Sequence, residues 1–185
     1  MIIRLQDRPS QPWKNGLGRT RELAIYPSAA SSDDFLWRVS IAEVDSDAPF
    51  SVFPGIDRQI ALLDGDGFTM TLDDERTHAL TRPLVPFGFP GEAEVRITLT
   101  GGRTRDFNLM IRRNRARGDV LAWHGSATHL LDPTVVLVFC VHGTIDTVEG
   151  QLHEGDAWCP SSYDTTVILD DGALALAVFV EPHNA

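Results

Sequence analysis

Residues 35–42 read Phe35-Leu36-Trp37-Arg38-Val39-Ser40-Ile41-Ala42. Bulky Phe35, Trp37, Val39 and Ile41 alternate with Leu36, Arg38, Ser40 and Ala42, a period of two that predicts one long β-strand. The Arg38, Ser40, Ala42 face is the informative one. In an open sheet that face is wet. In a small barrel it lines the interior, and Arg38 becomes a fixed cation facing a cavity. A buried guanidinium has to be paired, by Glu22 or Asp106 of the protein or by the carboxylate of a ligand.

The same period recurs outward from this stretch. Arg58 to Leu63 and Phe68 to Leu72 flank Asp64-Gly65-Asp66-Gly67 and predict a hairpin. Glu94 to Leu99 reads as a strand ending at Gly101-Gly102. Asp106 to Ile111 alternates again, with Phe107, Leu109 and Ile111 on one face and Asp106, Asn108, Met110 and Arg112 on the other. The arginine-rich segment from Arg112 to Gly118 reads as a solvated connection. Beyond it, the unbroken apolar run Val135 to Val141 fits a strand buried on both faces. Thr165 to Leu169, an Asp170-Asp171-Gly172 turn and Ala173 to Val180 read as a terminal hairpin.

No stretch carries a helical stripe of three turns. Many short strands separated by glycine turns indicate a β-sandwich or barrel. Leu62-Leu63-Asp64-Gly65 and Val141-His142-Gly143 end two apolar strands in similar fashion, their glycines 78 positions apart. This echo points to a duplicated jelly roll: one compact domain, residues 1–185, with lobes near 1–112 and 113–185.

With 185 residues the chain has room for one domain or two small fused lobes. An apolar fraction of 43% and a charged fraction of 23% exclude a disordered or fibrous protein. The formal net charge of −10 argues against nucleic acid and anionic membrane surfaces, which need a basic face. A small anion needs only a few local cations, so it stays open as a partner. Lys14 is the only lysine. Cys140 and Cys159 read as reduced, structural thiols. The N-terminal residues lack a signal-peptide pattern, and no apolar run spans a bilayer. The expected location is the cytoplasm.

Four clusters could carry chemistry. Trp13-Lys14-Asn15-Gly16-Leu17-Gly18-Arg19-Thr20-Arg21-Glu22 makes a tight, glycine-rich loop that exposes backbone N–H groups and brings Asn15 and Thr20 toward a ligand. It lacks the phosphate-loop spacing. The second cluster is the Arg38 strand. The third, Pro49-Phe50-Ser51-Val52-Phe53-Pro54-Gly55-Ile56-Asp57-Arg58, reads as a rigid connector to which Ser51 and Arg58 add polar groups, with Asp57 pairing Arg58 on the surface. The fourth joins Phe87 and Phe89, as pocket walls, to the Asp106–Asn108 strand. The six histidines form no metal-ligand pattern. There is no nucleophile elbow and no cysteine nucleophile motif. No metal or other cofactor is expected.

Together, Trp13-Lys14-Asn15-Gly16-x-Gly18-x-Thr20-x-Glu22, Trp37-Arg38-Val39-Ser40-Ile41-Ala42, Phe50-Ser51-x-Phe53-Pro54-Gly55-x-Asp57-Arg58 and Asp106-Phe107-Asn108-Leu109-Met110-x-Arg112 resemble the HutD/Ves family. The resemblance runs through the whole chain in order, with the first three motifs the most specific. Leu17 departs from it, standing where the family usually has a small residue. The resemblance implies an all-β, cupin-like double jelly roll (bicupin) with two β-barrel lobes. It also implies a metal-free regulatory binder of a histidine-degradation intermediate, such as N-formylglutamate or urocanate, or a stress-response role for Ves-like members.

The chemistry of the residues agrees with a carboxylate ligand. Arg38 and Arg58 offer bidentate contacts and Lys14 a point charge. Asn15, Thr20, Ser40, Ser51 and Asn108 offer hydrogen bonds. Trp13, Phe87 and Phe89 offer apolar walls, with the backbone at Gly16 leaving room. The alternative is an enzyme on the same pocket, with Lys14, Glu22 and Asp106 as acid–base groups. A barrel edge leaves a homodimer open, and a protein with no ligand site is the third reading.

Overall fold

The computed structural model describes residues 1–13, 15–30, 34–163 and 165–183. The strands are β1 (Ile2–Arg4), β2 (Ser10–Pro12), β3 (Gly18–Tyr26), β4 (Trp37–Val44), β5 (Ala48–Pro49), β6 (Ile56–Asp64), β7 (Phe68–Leu72), β8 (Arg76–Leu80), β9 (Phe87–Pro90), β10 (Val95–Leu99) and β11 (Thr104–Arg112). They continue with β12 (Ala116–His124), β13 (Ala127–Leu130), β14 (Val135–His142), β15 (Thr144–Thr147), β16 (Gly150–His153), β17 (Asp156–Trp158), β18 (Thr166–Leu169) and β19 (Leu174–Pro182). One short 3-10 turn, Leu5–Asp7, is the helical element among the described residues. The fold is all-β.

The chain divides into two compact units. One is Pro9–Arg117 with His183, and the other joins Met1–Arg8 to Gly118–Pro182. The earlier unit is a six-stranded sheet, β2-β3-β4-β11-β6-β9, facing a four-stranded sheet, β5-β10-β7-β8. The later unit has a five-stranded sheet, β1-β17-β14-β19-β12, and a four-stranded sheet, β13-β18-β15-β16. In the earlier unit Ile60, Leu62, Phe68, Met70, Leu72, Val95 and Ile97 form one buried cluster between the layers. In the later unit Val138, Cys140, Ile145, Leu152, Trp158, Val167 and Leu169 do the same.

Three expectations are corrected. First, no sheet among the described residues closes into a barrel. In the earlier unit the edge strands β8 and β9 are bridged by side chains instead. His78 stacks on Phe87 with ring centroids 3.6 Å apart and planes within 7°. Packed rings hold two layers at a sheet-to-sheet spacing of about 10 Å, too wide for a backbone ladder at about 4.8 Å.

Second, the two predicted hairpins do not pair with themselves. β6 joins β11 and β9 in one sheet, while β7 joins β10 and β8 in the other. The Asp64–Gly67 segment therefore carries the chain between layers. Gly67 takes φ +74°, and a Cβ there would meet the Leu80 carbonyl oxygen at 2.0 Å. β18 and β19 likewise fall in different sheets. The echo pair Gly65 and Gly143 mark equivalent crossings, each in the left-handed region after a central strand.

Third, the arginine-rich connection is short and pinned. The Arg113 guanidinium donates to Asp57 at 2.6 Å and to both oxygens of Glu92 at 2.8 Å. Arg112 Nε donates to the Phe35 carbonyl at 3.0 Å. β12 begins at Ala116, inside the stretch read as loop.

The central strand β14 is buried along most of its length, as its unbroken apolar run predicts. Cys140 and Cys159 are free thiols, and burial pushes them up to about 12 and about 11. Among the described residues no helix is long and apolar enough to cross a membrane.

Candidate functional site

Residues opposite one another on neighbouring antiparallel strands send their side chains to the same face. Register therefore assembles the inward face of the six-stranded sheet in rows. The first row runs Ile25, Arg38, Met110, Arg58, Phe89; the second Glu22, Ser40, Asn108, Ile60, Phe87; the third Thr20, Ala42, Asp106, Leu62. Most of the polar residues singled out in the sequence converge here. The alternating faces of β4 and β11 are the reason.

Arg58 is the centre of this face. It is 6% exposed, and its guanidinium carbon lies 4.9 Å from the centroid of Phe89, 5.2 Å from Phe50 and 5.6 Å from Phe53. Its Nη2 donates to Asn108 Oδ1 at 2.9 Å, and Asn108 Nδ2 in turn donates to Asp106 Oδ1. On this face, among the described residues, two fully buried polar atoms remain without partners: Arg58 Nε and Asp106 Oδ2. Burial lowers the Arg58 pKa to about 10 despite the charge of Asp106. Burial raises Asp106 to about 7, against the opposing effects of Arg58 and the Asn108 hydrogen bond. Arg58 thus stays cationic at neutral pH, while Asp106 is ionised only in part.

Asp57 does not pair with Arg58, as the sequence suggested. It holds Arg113 instead, because Asp57 and Arg58 point to opposite faces of β6. Arg38 is closer to solvent and already engaged: its Nε donates to Glu22 Oε2 at 2.8 Å. Of the two partners named for it in the sequence, Glu22 is the one found. Ser40 is buried beside it at 4% exposure.

The first loop folds back onto this unit through Trp13. Its indole Nε1 donates to Thr20 Oγ1 at 2.7 Å, and its ring meets Phe50 edge-on at 6.0 Å. Gly18 permits that approach, since a Cβ there would sit 2.9 Å from the Trp13 ring. Asn15 and Gly16 are exposed at the tip, where Asn15 Oδ1 accepts the Leu17 N–H at 3.1 Å. Leu17 packs against the apolar cluster. Ser51 is exposed. Lys14 lies outside the described residues.

The sequence reading left out Phe50 and Phe53, taken as connector, and His78. Their signal was the aromatic Phe-x-x-Phe just ahead of Arg58, which becomes a ring cage only when β6 and β9 pair. Among the described residues no group of three or more His, Cys, Asp or Glu side chains is placed to hold a metal ion.

The HutD family profile matches residues 5–177. The chain belongs to the HutD family. This HutD-family protein is 36% identical over 148 residues to an uncharacterised 21.2 kDa protein in the hutC 3′ region of Pseudomonas putida, covering 78% of this chain and 75% of that one. It is 47% identical over 113 residues to the protein Ves of Cronobacter sakazakii, an alignment spanning 60% of each chain. The structure of HutD from Pseudomonas fluorescens, obtained in a formate condition, superposes with a TM-score of 0.84 at 29% identity, over 100% of this chain and 99% of that one. An oxalate decarboxylase superposes at a TM-score of 0.68 with 10% identity, over 100% of this chain and 78% of its own. That second likeness marks the HutD fold as cupin-like.

Proposed function

We propose that this protein is a cytoplasmic, metal-independent binding protein of bicupin build. It takes a small carboxylate metabolite of histidine degradation, N-formylglutamate- or urocanate-like, and acts in a regulatory role. One observation carries the reading. Arg58 is a buried cation with an unused N–H, and its compensating carboxylate, Asp106, is only partly ionised. Buried charges are normally paired, so Arg58 is undercompensated to the extent that Asp106 holds a proton, and a ligand carboxylate would supply the missing charge. The ring cage of Phe50, Phe53 and Phe89 supplies apolar walls. The choice of histidine degradation rests on membership of the HutD family and on the relative from the hutC 3′ region.

A thermal-shift panel of urocanate, N-formylglutamate, formiminoglutamate and glutamate tests this. A binder at a hundredfold excess over Kd stabilises the fold by about 2.7 kcal/mol. The shift is expected to vanish in Arg58→Met. A flat response to every compound at millimolar concentration rejects the reading.

A second reading is favoured by Asp106 itself. A buried carboxyl near neutrality with a free oxygen suits general acid–base work on a small acid. Turnover of a panel compound, lost in Asp106→Asn, would establish it.

A further inference from the structure

Asp106 and Arg58 face one interior from neighbouring strands, with Asn108 between them. The amide uses both ends, its oxygen toward Arg58 and its nitrogen toward Asp106. The pair therefore compensates through a spacer rather than through the direct bidentate contact that a guanidinium and a carboxylate prefer. What remains is one donor, Arg58 Nε, and one carboxylate oxygen, Asp106 Oδ2, both sealed from solvent and both unpartnered.

A carboxylate docking on Arg58 brings a second negative charge into this space. Two carboxylates sharing one guanidinium away from water cannot both stay ionised without a large cost. The ligand is held by Arg58 directly, so Asp106 is the group that gives way, and its free oxygen is where a proton can lodge. We propose that a carboxylate enters this site together with one proton from solvent, the proton resting on Asp106. The inference rests on the binding reading above and adds the coupling.

The other charged groups facing this interior do not supply the proton site. Arg38 is a permanent cation held by Glu22. Glu22 lies at the half-exposed end of that pair. From the facing sheet come the apolar Met70, Leu72, Val95 and Ile97, together with His78. Burial pushes His78 below its ordinary value, which favours its neutral form.

The test is the affinity of N-formylglutamate from about pH 5.5 to 8.5, a range in which that probe has no titrating group. The expected Kd is constant below about pH 6. It weakens above about pH 7.5 with a slope approaching tenfold per pH unit. Asp106→Asn is expected to flatten the profile and to bind at least as tightly as wild type at the alkaline end. Should that variant not fold, calorimetry on wild type at pH 8 in phosphate and in Tris reads the same quantity. The two heats are expected to differ by the difference between the two buffers' ionisation enthalpies, multiplied by nearly one proton per ligand. Binding with a pH-independent Kd and equal heats overturns the coupling and leaves the binding reading standing. A slope that disappears in His78→Phe but persists in Asp106→Asn also overturns it. Failure of N-formylglutamate and of every other panel compound to bind at any pH removes both.

Discussion

The interior of the earlier unit contains Ser40, Arg58, Asp106 and Asn108 among its aliphatic residues. The interior of the later unit contains Val138, Cys140, Ile145, Leu152 and Trp158, and its thiol is too basic to ionise near neutrality. Its buried carboxylate, Asp156, is satisfied by the Arg4 guanidinium and by the His153 backbone N–H at 2.8 Å. The two units nevertheless close an edge in the same way. His78 stacks on Phe87 in one, and His129 on Trp123 in the other with centroids 4.0 Å apart. Both imidazoles are pushed down by burial. Similar layered scaffolds thus carry different interiors, one with a buried guanidinium and carboxyl linked through Asn108 and one that is mostly apolar.

Four substitutions bear on that contrast, beginning with the largest effect. Trp158→Ala, in the apolar interior, should destabilise by about 3–5 kcal/mol. The loss is expected to be equal at pH 6 and pH 8 in denaturant titrations, since the side chain removed is uncharged and packs in an apolar cluster. A pH-dependent loss there would erase the distinction between the units.

Arg58→Met should cost about 1–2 kcal/mol more at pH 8 than at pH 5.5, because without Arg58 the buried Asp106 has to hold at pH 8 a proton that it largely gives up in wild type. Burial already holds Asp106 near 7, and removing Arg58 takes away the charge that lowers it. At pH 5.5 the carboxyl is protonated with or without Arg58, so the extra penalty should largely disappear. Wild type itself should lose stability through Asp106 as pH rises from about 4 to about 7, because the folded carboxyl holds its proton there and the unfolded one does not. Chemical denaturation of the variant at both pH values checks the sign. Equal losses at the two pH values would mean that Arg58 contributes by packing alone.

Glu22→Gln frees Arg38. Glu22 is about 38% exposed on its side chain, so solvent screening limits the stability loss to at most about 1 kcal/mol. Binding of a carboxylate probe should tighten, because one more cation faces the site. Weaker binding would show that the Arg38–Glu22 pair is part of the ligand's frame. Arg96→Ala removes the Asp74 pair, which is about two-thirds exposed on both sides, and should leave the melting temperature unchanged.

Strand positions were legible because each needs only a local pattern. Trp37–Val44 and Thr104–Arg112 follow directly from alternation, and the polar face of β4 does turn inward. Partner choice was not legible. Asp64-Gly65-Asp66-Gly67 has the composition of a hairpin turn, yet the strands on either side belong to different layers. Local sequence sets where the chain may bend, while the hydrogen-bond partners come from strands as far away as β11. The candidate site shows the same limit. Arg38 and Arg58 look alike in the sequence, each offering a guanidinium on an apolar strand. Glu22 reaches Arg38 only across the β3–β4 register, which leaves Arg58 as the undercompensated cation.

The sequence by itself determined an all-β chain with polar residues on alternating faces of β4 and β11, and its ordered motifs pointed to the family. The tertiary structure alone decided which cation is sealed from water and how far Asp106 ionises. Those are properties of burial: removal from solvent changes the cost of a charge by an amount that no neighbouring residue in the sequence can report.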